Sequence, residues 1–138
     1  MRRIVLAAPA LPFVALPRGA EANALVRVDR ATQAMNVSVD GAPVYQAGLD
    51  GRRGFGTPAR TFHPQRMAAR WFSTVYYNAP MPHAIFFQDG YAIHGSYDIA
   101  RLGGPASHGC IRVHPSAAAA LFGIVQREGM QNTTIVVH

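Results

Sequence analysis

Ile93-His94-Gly95, followed across a glycine-rich spacer by Ser107-His108-Gly109-Cys110-Ile111-Arg112-Val113, is the most informative run in this 138-residue chain. It combines apolar strand formers with residues that carry chemistry, and it holds the single cysteine of the sequence. A thiol is a weak nucleophile until a base takes its proton or a nearby cation stabilises the thiolate. Two imidazoles are placed to do this. His108 precedes Cys110 by two residues, so in extended backbone both side chains project from one face. His94 closes an earlier apolar run and can meet Cys110 across neighbouring strands. Spacing leaves both open. Gly109 allows a substrate carbonyl close to the backbone, where N–H groups stabilise an oxyanion. Ser107 offers a hydroxyl to hold a histidine or the loop. Arg112, on the same extended face as Cys110, suits a bidentate contact with a carboxylate.

Two plainer explanations compete with catalysis. Ser107 to Cys110 can be an ordinary turn into a strand, with the thiol a small buried hydrophobe. Alternatively, His94, His108, Cys110 and His114 could supply zinc ligands. No C-x-x-C or H-x-x-x-H pair supports zinc, so neither metal nor cofactor is expected.

Outward from this run, Leu25 to Asp29 and Met35 to Val39 alternate apolar and polar residues, as half-buried strands do. Asp40-Gly41 is a tight-turn signal leading to Ala42 to Gln46, so the second and third of these segments form a hairpin. Leu49 to Gly56 reads as a loop, and Thr57-Pro58 opens an extended stretch. Trp71 to Tyr77 has strand composition. Ala84 to Phe87 is a continuous apolar run suited to a central strand, and Asp89-Gly90 turns it into Tyr91 to His94. Gly95 to Ala106 is a loop or flap, in which Ser96, Tyr97 and Asp98 are candidates for contact with substrate. Pro115 suits the first position of a helix that Arg127 and Gly129 close. His114 is placed to cap it. Asn132 to Val137 is a β-branched closing strand. Many short strands and one helix make a mostly-β sandwich or barrel-like domain.

Composition narrows the partners. Thirteen basic residues, all arginine, face seven acids, for a net charge of +6. Such a balance attracts anionic partners, yet no basic helix, zinc-finger spacing or RNA-binding aromatic motif is present, so nucleic acid is not expected. At the amino terminus, Met1-Arg2-Arg3 precedes apolar Ile4 to Leu16, too short to span a bilayer. Ala20-Glu21-Ala22 and Ala22-Asn23-Ala24 both read as cleavage sites. Residues 1–24 are therefore expected to be a signal peptide, residues 25–138 the mature domain, and its location the periplasm or cell envelope.

The run from Ile93 to Arg112 resembles the catalytic domain of the L,D-transpeptidases, the YkuD family. The likeness extends through Leu102-Gly103 in the spacer, upstream to Thr57-Pro58 and Met81-Pro82-His83-Ala84-Ile85-Phe86-Phe87, and downstream through the helix and last strand. It covers nearly all of residues 25–138. The resemblance implies a β-sandwich-like fold and a Cys110 nucleophile acting on peptidoglycan tetrapeptide stems. It implies a thioester formed with loss of the terminal D-Ala, then resolved by the amine of a second stem to give a 3–3 cross-link. It assigns the general base to His94, an orienting backbone carbonyl to Gly95, a supporting place to His108, and a substrate contact to Arg112. Water as acceptor would make the enzyme a carboxypeptidase, and a wall-attached lipoprotein is another possible acceptor. A non-catalytic wall-binding module of the same fold is the remaining alternative. The resemblance also implies covalent inhibition by carbapenems. One departure is Ala59-Arg60-Thr61-Phe62, where the family usually has a glycine near position 60.

Overall fold

The computed structural model describes residues 23–48, 57–74, 78–97 and 110–138. Within them the chain forms β1 (Ala24–Asp29), β2 (Ala34–Val39), β3 (Ala42–Gly48), β4 (Thr61–Phe62), β5 (Arg66–Ala68), β6 (Ala84–Gln88), β7 (Tyr91–Gly95) and β8 (Ile111–Val113). Helix α1 (Pro115–Glu128), a short 3-10 turn (Met130–Asn132) and β9 (Thr133–Val137) complete the order. One sheet runs β3-β2-β1-β9-β4 and the other β5-β6-β7-β8. This is the mostly-β, two-sheet architecture expected, with the helix directly before the last strand.

Local chemistry explains the boundaries. Asp40 and Gly41 both have positive φ, 50° and 82°, as a two-residue hairpin turn between β2 and β3 requires. Helix α1 starts where Pro115 needs no N–H partner, and His114 caps it by accepting from the Ser116 backbone N–H. Gly129, at φ 94°, ends it and donates its N–H to the Val125 carbonyl.

A single core joins both sheets and the helix. Val26, Val28, Met35 and Val37 meet Ile85, Phe87, Ile93, Ile111 and Val113, with Ala118, Leu121 and Val125 of α1 closing the end. The opposite face of the β5–β8 sheet carries a second, smaller cluster of Met81, Ala84, Phe86 and Ala92. β6 is thus covered on both sides, which is why Ala84 to Phe87 is continuously apolar instead of alternating.

One expected strand is absent. Trp71 to Thr74 forms no strand beyond an isolated bridge from Phe72 to Pro80, and residues 75–77 lie outside the described residues. Around this bridge the backbone N–H of Ser73 donates to Ala79, that of Met81 to Trp71 and that of His83 to Ala69. Conversely β4, β5 and β8 are two or three residues long, too short to show alternation. The expected loop Leu49 to Gly56 lies outside the described residues.

Phe87 is 1% exposed and packs its ring 4.9 Å from that of Phe62. Phe87→Ala is expected to cost about 3–5 kcal/mol of unfolding free energy. Val44→Ala, at a side chain 49% exposed, should change it by less than about 0.5 kcal/mol. Denaturant unfolding of both variants checks the contrast.

Candidate active site

β7 and β8 lie side by side and run parallel, with Ile93 paired to Ile111, His94 to Arg112 and Gly95 to Val113. Side chains alternate along each strand. Ile93, Ile111 and Val113 point into the main core, so His94 and Arg112 occupy the other face. Cys110, one residue before β8, packs on that same face against the cluster containing Phe86 and Ala92. The imidazole and thiol are diagonal neighbours, about 8 Å apart at Cα by strand spacing and rise. That separation is within reach of the two side chains.

His94 is buried at 5% exposure, and its Nδ1 lies 2.7 Å from the Gly95 carbonyl oxygen. A carbonyl oxygen only accepts, so Nδ1 carries the proton and donates it. Nε2 is then left with the lone pair. Burial pushes the imidazole down from 6.5 to about 4; the bond to Gly95 opposes the shift and the Arg112 charge adds to it. His94 is therefore a neutral base at physiological pH. Burial pushes the Cys110 thiol up, while the Ala92 backbone N–H and the Arg112 charge pull it down. The thiol donates to the Gly90 carbonyl at 3.5 Å. The resting pair is thus thiol and neutral imidazole, with a fixed cation beside both.

Gly95 holds this arrangement by having no side chain. A Cβ there would stand 3.0 Å from both Pro115 Cα and Pro82 Cγ. Its N–H donates to the Pro82 carbonyl, and that of Ser96 to Val113. Ser96 is 5% exposed, whereas Tyr97 is 64% exposed. Ser107, His108, Gly109 and Asp98 lie outside the described residues.

His114 spends its Nδ1 on the helix cap and on the Ser116 hydroxyl, so it is engaged in a structural role. His63 bonds the Thr133 carbonyl, and His83 packs edge-on to Phe122. Among the described residues, no group of three His, Cys, Asp or Glu side chains is arranged to hold a metal. A groove of about 700 Å³ crosses β1 to β3, lined by Arg27, Asn36, Tyr45 and Gln46 among others. It lies on the other sheet and contains neither cysteine nor histidine. Sequence inspection missed Gly90 and Ala92, because their contribution to Cys110 is made by backbone groups that any residue possesses.

The family model for the L,D-transpeptidase catalytic domain, YkuD, matches residues 23–137. The chain belongs to this family. Among solved structures, an L,D-transpeptidase from Mycobacterium smegmatis superposes with a TM-score of 0.74 at 23% identity, over 84% of this chain and 58% of that one. The L,D-transpeptidase from Xylanimonas cellulosilytica gives 0.72 at 25% identity, over 88% and 63%. L,D-transpeptidase 3 from Mycobacterium tuberculosis, solved with a faropenem-derived adduct, gives 0.71 at 16% identity, over 84% and 60%. At such identities the likeness is one of fold, and the chain spans only 55% to 63% of the solved chains it matches. A search of curated protein sequences returns no match.

The buried neutral imidazole carries a pH signature. Between pH 6.5 and about 4 the unfolded chain binds a proton that folded His94 refuses. Stability therefore falls as pH drops through that window. His94→Gln should remove this component, worth on the order of 3 kcal/mol at one unit per 1.4 kcal/mol. Denaturant midpoints of both proteins at pH 7 and pH 4 measure it. Gly95→Ala should destabilise the fold by about 1–3 kcal/mol through overpacking, read in the same assay.

Proposed function

We propose that this YkuD-family domain is a cysteine acyltransferase acting on peptidoglycan stem peptides outside the cytoplasm. The observation that carries this is the parallel β7–β8 register, which sets Cys110 and His94 on one face with Nδ1 of His94 bonded to Gly95. The family membership and the faropenem-derived adduct of the M. tuberculosis relative support it.

The proposed chemistry follows from the protonation states. Nε2 of neutral His94 takes the Cys110 proton as Sγ attacks the carbonyl between the third stem residue and the terminal D-amino acid. The bond from Nδ1 to the Gly95 carbonyl fixes the tautomer, so the lone pair of the neutral ring is on Nε2. The Arg112 charge favours thiolate over thiol and opposes early charging of His94. Imidazolium then returns its proton to the departing amine, leaving a thioester on Cys110. An acceptor amine attacks this thioester, giving up a proton to His94 and expelling Sγ. A second stem as acceptor yields a 3–3 cross-link; a lipoprotein amine or water completes the same cycle differently. His108, Gly109 and Ser107 are proposed to support the loop and the oxyanion, and Ser96 and Arg112 to contact substrate.

Incubation with a carbapenem is expected to add one drug mass to the intact protein, and Cys110→Ala should abolish the adduct. Because the resting pair is already thiol and neutral imidazole, acylation should stay nearly flat from pH 6 to 8 and fall as pH drops toward about 4, where His94 takes up a proton, and His94→Gln should slow it by at least about 100-fold. A folded protein with a reduced thiol that takes up no β-lactam would overturn the proposal. Muropeptide products from defined tetrapeptide stems would then identify the acceptor.

A further inference from the structure

The face that carries Cys110 continues across the whole β5–β8 sheet. Strand pairing sets Arg66 opposite Phe86, and Phe86 opposite Ala92. One step before the Ile93–Ile111 pair stand Ala92 and Cys110. Arg66, Phe86, Ala92 and Cys110 therefore form a row straight across four strands, on the side away from the main core. The guanidinium leans along this row, its central carbon 4.0 Å from the Phe86 ring centre and 4.8 Å from that of Trp71. The two rings meet edge to face at 5.4 Å. Trp71 and Cys110 flank the same small apolar cluster.

Ring faces hold a guanidinium in place through their negative quadrupole. They leave its in-plane N–H donors available for a carboxylate fork. Among the described residues, the partners of Arg66 are these two rings. Adjacent strands are about 4.8 Å apart, so a group bound above Phe86 stands two spacings, about 10 Å, from Cys110. That is roughly the length of three extended residues.

We propose that Arg66, clamped by Phe86 and Trp71, binds a carboxylate of the acyl donor about 10 Å from the carbonyl attacked by Cys110. Arg66 thereby makes an acidic donor residue a determinant of specificity. The inference rests on the acyl-transfer function proposed for Cys110. A stem peptide with a free carboxylate on its second residue would place it within this span, since that residue precedes the one whose carbonyl is attacked.

Binding in a Cys110→Ala background tests the site without turnover. Trp71 is the only tryptophan, so its fluorescence reports occupancy beside Arg66. The probes are a stem tetrapeptide with a free carboxylate on its second residue and the same peptide with a carboxamide there. Losing a charge-assisted fork should weaken binding by roughly 10- to 100-fold. Arg66→Gln is expected to weaken the carboxylate stem by that factor and to leave the carboxamide stem unchanged, while Arg66→Lys falls between. Equal losses for both stems would mean that Arg66 only packs Trp71, and would overturn the proposal, as would no loss for either. Far-UV circular dichroism and titration of the Cys110 thiol in Arg66→Gln verify its fold and thiol. A wild-type protein that forms no adduct would refute the acyl-transfer function, while the binding comparison would still decide the role of Arg66.

Discussion

The parallel pairing of β7 with β8 is the constraint on which the site depends. It sets His94 against Arg112 and carries Cys110 onto the same face, while Ile93, Ile111 and Val113 lock the opposite face into the core. A slip of one residue would turn the imidazole inward and bring apolar side chains out. Register is therefore enforced by the buried residues, and catalytic geometry is inherited from packing. Parallel neighbours also need a long connection. In sequence, residues 96–110 separate the two strands.

The electrostatics follow from the same placement. Burial makes charge costly for both groups, so the imidazole is neutral and the thiol protonated at rest. A pair of this kind resists side reactions of a thiolate while keeping an unprotonated imidazole on the same face as the thiol. Arg112 sits in register with His94, and its charge favours ionisation of the thiol and opposes that of the imidazole. The Gly95 carbonyl selects the tautomer, and the crowding of Gly95 by Pro82 and Pro115 couples that selection to the helix start. Helix α1 follows β8 after a single residue, so the helix that closes the core also braces the strand end carrying the site.

Several elements were legible in the linear chain because their causes are local. The Asp40-Gly41 turn, the Pro115 start and Gly129 stop of α1, and the strands β1, β2 and β7 each announce themselves through turn chemistry or alternation. The strand expected over Trp71 to Tyr77 is, among the described residues, a single bridge to Pro80, because pairing depends on a partner segment outside the window in which β-propensity is read. β5 and β8 were invisible for the opposite reason. Three residues carry no periodicity, and only neighbours on a sheet reveal them as strands.

At the site the division is similar. The residues themselves offered Cys110 as a candidate nucleophile with His94 and His108 as candidate bases, and the resemblance selected His94 over His108. The sequence by itself determined residue types, local turns and family. Tertiary structure decided what those types do: that His94 is buried and neutral, that Nδ1 is committed to Gly95, that backbone groups of Gly90 and Ala92 attend the thiol, and that Arg66 shares a row with Cys110. Each of these depends on strand neighbours far apart in sequence, and burial and register are properties of the assembled sheet that no single segment contains.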